Sequence, residues 1–189
     1  VKQGLLPYLS QQIKQDSYYR PGNSTGVISI VGLNEAVKSH VDYQIHEDLM
    51  PQHFAVQVVE YLVNLVNSMS EKSGARFSAS QVTDDEASQR MAEHDVERYG
   101  WSVVYTQGGK EHPYYTYTTA VADEPELTLK ERLQLEEKFH PMFRGGHFTP
   151  VHVGEDMSGE ALLKQTKEIC ESYNLSLIHI SEPTRQAEI

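Results

Sequence analysis

Short β-branched runs alternate along the chain with longer stretches whose apolar positions recur every three or four residues. "GVISIVG" (26–32) lies between glycines and predicts a buried strand, and "LNEAVKSH" predicts a helix directly after Gly32. Val56, Val59, Leu62, Val63 and Val66 stand at helical spacing in "HFAVQVVEYLVNLVNSMSEKSG", with Gly74 as its natural stop. "ARFSASQV" (75–82) alternates and predicts a second strand. "DDEASQRMAEHDVERYG" (84–100) predicts a helix with acids in the first turn, where the helix dipole favours them. The Tyr- and Thr-rich "YYTYTTAV" (114–121) predicts a strand, "LTLKERLQLEEKF" (127–139) an amphipathic helix, and "HFTPVHVGE" (147–155) a fourth strand. A last helix is expected over 158–174, capped by Ser158. Residues 1–25 form an irregular lead-in rich in turn formers. Strands that alternate with helices predict an α/β fold with mostly parallel strands, and four such units make part of a barrel or sheet rather than a closed one.

Composition narrows the function classes. The 189 residues are 39% hydrophobic and 23% charged, as in an ordinary globular domain. No stretch approaches the roughly 20 apolar residues of a membrane span, and no basic, apolar leader is present, so neither membrane nor secretion is expected. The formal charge of −11 repels nucleic-acid backbones, which excludes DNA or RNA as expected partners. One cysteine, Cys170, permits no internal disulfide and fits a reducing cytoplasm. The first residue is Val1, from which a processed or truncated start is expected.

Three segments are candidates for chemistry. In "IVGLNEAV" (30–37), Asn34 and Glu35 follow a glycine at a strand's C-terminal mouth, where α/β proteins place ligands; the same residue types also cap helices. "TDDEASQR" (83–90) turns from a strand into a helix, so its backbone N–H groups could receive an anion with help from Thr83 and Ser88. The acids Asp84, Asp85 and Glu86 equally suit a capping box and would repel phosphate. "KFHPMFRGGHFTPVHVGE" (138–155) holds His140, His147 and His152, but no metal-ligand spacing, so a tight turn with a positive φ at Gly145 or Gly146 is expected instead. Cys170 has helical neighbours and no cationic partner, which favours a structural thiol.

In order, "GLLPYL…YYRPGNSTGVISIVGLNEAVKSH", "ARFSASQVTDDEASQRMAEHD", "PYYTYTTAV" and "EEKFHPMFRGGHFTPVHVGE" resemble the class III, anaerobic ribonucleoside-triphosphate reductases over most of residues 4–174. The Gly32–Glu35 turn and the "KFHP-F-GG" segment with its trailing Gly154 and Glu155 carry most of the likeness. The resemblance implies part of a ten-stranded α/β barrel of the glycyl-radical enzyme type. It also implies reduction of ribonucleoside triphosphates to deoxyribonucleotides, a radical-SAM activase as partner and a homodimer when full length. Substrate binding would fall on Asn34, Glu35, Thr83, Glu86, Ala87 and Ser88. The family's phosphate turn usually reads Thr-Pro-x-Glu-Ser; Thr83 and Glu86 match it, Asp84 replaces the proline, and Ala87 then Ser88 follow. Tyr114, Tyr115 and Thr116 match a Tyr-Tyr-Thr-Asn-Ser strand, with Tyr117 in place of asparagine.

The family's thiyl cysteine, its glycyl-radical loop and its four-cysteine zinc site have no counterpart here; the last two are expected beyond residue 174. A chain without them is expected to be inactive alone. Residues 1–174 are therefore expected to be a partial barrel domain. Residues 175–189, "LSLIHISEPTRQAEI", back-translate to a transposase-type sequencing adapter and index, and are expected to be a non-native read-through tail.

Overall fold

The computed structural model describes residues 9, 11–13, 16–81, 85–117, 121, 127–149, 151 and 157–173. Its elements are β1 (Gln12–Ile13), β2 (Asp16–Ser17), β3 (Thr25–Ser29), α1 (Leu33–Val41), α2 (Leu49–Ser73), β4 (Arg76–Ser80), α3 (Asp85–Tyr99), α4 (Leu129–Glu136) and α5 (Gly159–Ser172). β1 and β2 pair antiparallel, and β3 and β4 pair parallel with Thr25 opposite Arg76 and Ser29 opposite Ser80. The β3–α1–α2–β4 unit is thus a parallel pair joined by a helical crossover, as a parallel ladder requires.

α2 begins at Leu49, a turn earlier than its valine periodicity indicates. Asp48 accepts a hydrogen bond from the Leu49 N–H at 2.6 Å, and Pro51 falls in the first turn, where an absent N–H costs no intrahelical bond. Along this helix Pro51, Ala55, Val59 and Val66 are buried, while Val56 and Val63 pack against the same core. Leu33, Val37, Ile45, Ala79, Val121, Leu135, Phe139 and Phe143 complete that core. Ser70 ties α2 to β4, since its Oγ accepts from the Phe77 N–H at 2.8 Å and donates to the Phe77 carbonyl at 3.2 Å. α5 opens at Ser158, whose Oγ accepts from the Ala161 N–H at 3.3 Å, and this is the cap the sequence predicts. α4 is shorter than expected because a Thr128–Glu131 capping box starts it late, and the chain tightens into a 3₁₀ turn over His140–Met142.

Two predicted strands are not strands in their described parts. Tyr114–Tyr117 contributes only one bridge, between Tyr114 and Gln107. Its remaining backbone groups serve helix ends instead of a ladder: the Gly32 N–H donates to the Thr116 carbonyl at 2.8 Å, and the Thr116 N–H donates to the Glu35 carboxylate at 3.1 Å. His147–Thr149 is irregular for a similar reason, because the Phe148 N–H donates at 3.4 Å to the Gln81 side chain. Just before it, the Gly145 N–H donates to the Ala79 carbonyl at 3.0 Å and the Gln81 N–H donates to the Gly146 carbonyl at 2.9 Å. A regular parallel bridge would use one residue for both bonds; here two residues serve, which makes a bulge. Gly146 supplies it with a φ of 114°, the positive value expected at one of these two glycines. Residues 118–120, 150 and 152–155 of the two predicted strands lie outside the described residues.

A Cβ on Gly145 would lie 2.7 Å from the Ser80 Cβ and 2.8 Å from the Ala79 carbonyl oxygen, whereas nothing stands within 4 Å of one on Gly109. Gly145→Ala is expected to destabilise the fold by about 1–3 kcal/mol through overpacking. Thermal denaturation checks it: a lower Tm for Gly145→Ala and an unchanged Tm for Gly109→Ala are expected.

Candidate functional site

The first turn of α1 starts from Gly32, which is held left-handed at φ 80° with the Tyr115 ring packed 3.4 Å from where a Cβ would sit. That geometry turns the chain sharply off β3 and plants Asn34 and Glu35 in the interior, 0% and 3% exposed. The Asn34 amide clamps the α1–α2 connection: its Nδ2 donates to Gln44 Oε1 at 2.9 Å, and its Oδ1 accepts from the Ile45 N–H at 3.0 Å. Glu35 reaches the other way. Its Oε1 accepts from Gln107 Nε2 at 2.8 Å and from Thr116 Oγ1 at 2.6 Å, while Oε2 accepts from the Thr116 N–H.

Ser88, in α3, is also buried, and its hydroxyl donates to the Tyr115 carbonyl. Consecutive residues Tyr115 and Thr116 therefore join Ser88 to Glu35, so the first turns of α1 and α3 meet on one segment. Ala87 is half-buried and Glu86 exposed. Thr83 lies outside the described residues, as does Asp84, so the turn preceding α3 is not part of this geometry.

A cavity of about 310 Å³ opens between α1 and α3 beside this junction. Glu35, Ala36 and Ser39 line it from α1, and Met91, Asp95 and Tyr99 from α3. Tyr115 crosses its wall and donates from its phenol to Asp95 Oδ2 at 2.8 Å. Burial first, then the Asp95 hydrogen bond and the charges of Asp95 and Glu35, hold the phenol well above its ordinary range. It therefore stays a protonated donor at neutral pH. The sequence singles out Asn34, Glu35 and Ser88, all buried here, but gives no local signal for Asp95, Gln107 or the role of Tyr115, whose hydrogen bonds link positions 20 to 81 apart in the chain.

A second polar cluster lies in the "KFHP…GGH" segment. The rings of His140 and His147 are 4.0 Å apart, and His140 Nε2 is 3.2 Å from Thr149 Oγ1. His147 Nε2 stands 3.5 Å from Glu136 Oε2, with both side chains buried. Desolvation first, and His140 second, push the His147 imidazole down to about 3, so this contact is between a neutral ring and a carboxyl rather than an ion pair. Among the described residues no group of three or more His, Cys, Asp or Glu is placed to hold a metal ion. A four-thiolate zinc site does not fit the residues present either, because the single cysteine, Cys170, is exposed on α5.

The family model for anaerobic ribonucleoside-triphosphate reductase matches residues 1–187. The chain belongs to that family. Among solved structures, the crystal structure of the anaerobic ribonucleotide reductase from Thermotoga maritima, with MES in the active site, is similar at a TM-score of 0.63 and 16% identity. The likeness covers 78% of this chain and 24% of that one, so this reductase-family chain spans about a quarter of the length of its neighbour. No curated protein matches the chain. The fold is mixed α/β, shared with the anaerobic reductase; among the described residues the parallel strands are β3 and β4, and no ten-stranded barrel is formed by them. No helix of the described residues is long and apolar enough to cross a membrane.

The unfolded chain takes up a proton on His147 near pH 6.5 that the folded chain refuses until about pH 3. The stability linked to this group is therefore full above about pH 6.5 and is lost as pH falls toward 3. Denaturant titrations across that window are expected to show a shallower acid slope for His147→Asn than for the unaltered chain; equal slopes would remove His147 as a contributor.

Proposed function

We propose that this chain is part of the catalytic barrel of an anaerobic reductase that converts ribonucleoside triphosphates to deoxyribonucleotides. The observation that carries this reading is the family match over residues 1–187, supported by the fold shared with the Thermotoga maritima enzyme. In the whole protein a glycyl radical, installed by a radical-SAM activase, generates a thiyl radical that abstracts a ribose hydrogen. Neither radical residue belongs to this chain, which is inactive alone. Residues 1–174 contribute barrel wall. The full-length protein is a cytoplasmic homodimer that carries zinc outside this segment.

In this reading Asn34 and Glu35 border the substrate at the mouth of β3. Their hydrogen bonds are spent inside the protein, so they shape that mouth rather than grip the nucleotide. Substrate phosphate is assigned to Glu86, Ala87 and Ser88 of α3's first turn together with Thr83, which lies outside the described residues. The dipole of α3, a 15-residue helix, puts partial positive charge at its start, which suits an anion there. A second reading keeps the barrel and drops the radical chemistry. It is favoured by the acids Asp84 and Asp85 in that turn and by the absence of cysteine from residues 4–10.

An anoxic assay of the full-length protein with its activase, S-adenosylmethionine, a reductant and ribonucleoside triphosphates separates the two. Deoxyribonucleotide and an organic-radical EPR signal are expected from the whole protein, with neither from the 189-residue chain. A whole protein that binds nucleotide but never develops the radical supports the second reading, and one that binds no nucleotide and accepts no activase contradicts both.

A further inference from the structure

The cavity between α1 and α3 has a chemistry that substrate phosphate does not explain. Among the described residues its charged lining consists of Glu35 and Asp95, with no Lys, Arg or His. Both acids have their hydrogen bonds met by neutral donors: Gln107 and Thr116 for Glu35, the Tyr115 phenol for Asp95. None of these donors carries a positive charge. His94 stands 3.8 Å from Asp95 on the exposed side, outside the lining. The other walls are aromatic and soft, from Tyr99, Tyr105, Tyr115 and Met91. Arg98 stacks on the Tyr99 ring at 5.2 Å, outside the lining.

Tyrosines lining one cavity with two acidic side chains suit an organic cation. The ring faces attract the charge, the acids add a Coulomb term, and the partly apolar wall accepts the alkyl groups. A volume of about 310 Å³ is ample for such a group. Anions are disfavoured by both acids and by the overall charge of −11. We propose that this cavity is a binding site for an alkylammonium group, carried by a small free cation or by a side chain of a partner. The site is separate from the phosphate turn and does not rest on the reductase reading.

The test titrates the 189-residue chain with choline and with its neutral isostere 3,3-dimethylbutan-1-ol, at constant ionic strength, while tyrosine ring resonances are followed by NMR. Choline is expected to give saturable shifts at Tyr99, Tyr105 and Tyr115, with the isostere about tenfold weaker, as expected where cation–π and carboxylate terms dominate. Asp95→Asn is expected to weaken choline several-fold. Tyr99→Ala, at a half-exposed position that tolerates truncation, gives the same loss should the Asp95 variant fold poorly. Nα-acetyl-lysine methylamide distinguishes the sources: tighter binding than choline indicates a partner's side chain, and weaker binding a free cation. Equal affinity for choline and the isostere, or no saturable shift with either, overturns the proposal.

Discussion

The Glu35 carboxylate is the interaction on which the rest of this structure depends. A carboxylate withdrawn from water costs several kcal/mol unless donors replace its hydration. Here they come from two places far along the chain, Gln107 and Thr116, the latter giving both its hydroxyl and its N–H. Satisfying one side chain therefore fixes the start of α1, the 107–114 loop and the 115–117 segment relative to one another. Asn34, one residue earlier, does the same for the α1–α2 connection. Adjacent positions thus point opposite ways and lock two different segments to the end of β3.

A consequence is that helix starts and side chains take over bonds that a wider sheet would use. Thr116 exchanges its backbone bonds with Glu35 and Gly32, and Gly145 and Gly146 meet the end of β4 through a bulge. Ser80 reinforces that bulge by donating toward the Gly145 and Gly146 carbonyls at 3.0 and 3.2 Å. Three chain segments thereby converge at the C-terminal ends of β3 and β4, which is where open α/β sheets hold ligands. The cavity lies beside this convergence, where the Tyr115 ring packs against Gly32 and its phenol reaches Asp95 of α3.

Much of this was legible in the sequence. Helical periodicity placed α2, while the glycine before α1, the first-turn acids of α3 and the Ser158 cap of α5 marked the others. Ser158 and Gly74 marked helix ends by conformational preference alone. The order of four segments pointed to the anaerobic reductases, and the family match agrees. The predicted strands at 114–121 and 147–155 misled because Tyr, Thr and Phe favour extended backbone without saying where its hydrogen bonds go. Glu35 read as a helix-capping or ligand residue. Its actual partners are 72 and 81 positions distant, and no local pattern encodes them.

The coupling between Glu35 and Thr116 is what ties α1 to the 115–117 segment. A double-mutant cycle of Glu35→Gln and Thr116→Val, read by chemical denaturation, measures it. Hydrogen bonds to a charged group contribute about 1.5–3 kcal/mol, and removing either partner should forfeit most of what the other provides. A coupling energy of about 1 kcal/mol or more is predicted for the pair. Effects that add to within about 0.5 kcal/mol would mean that Glu35 does not hold this segment, and the central claim would fail.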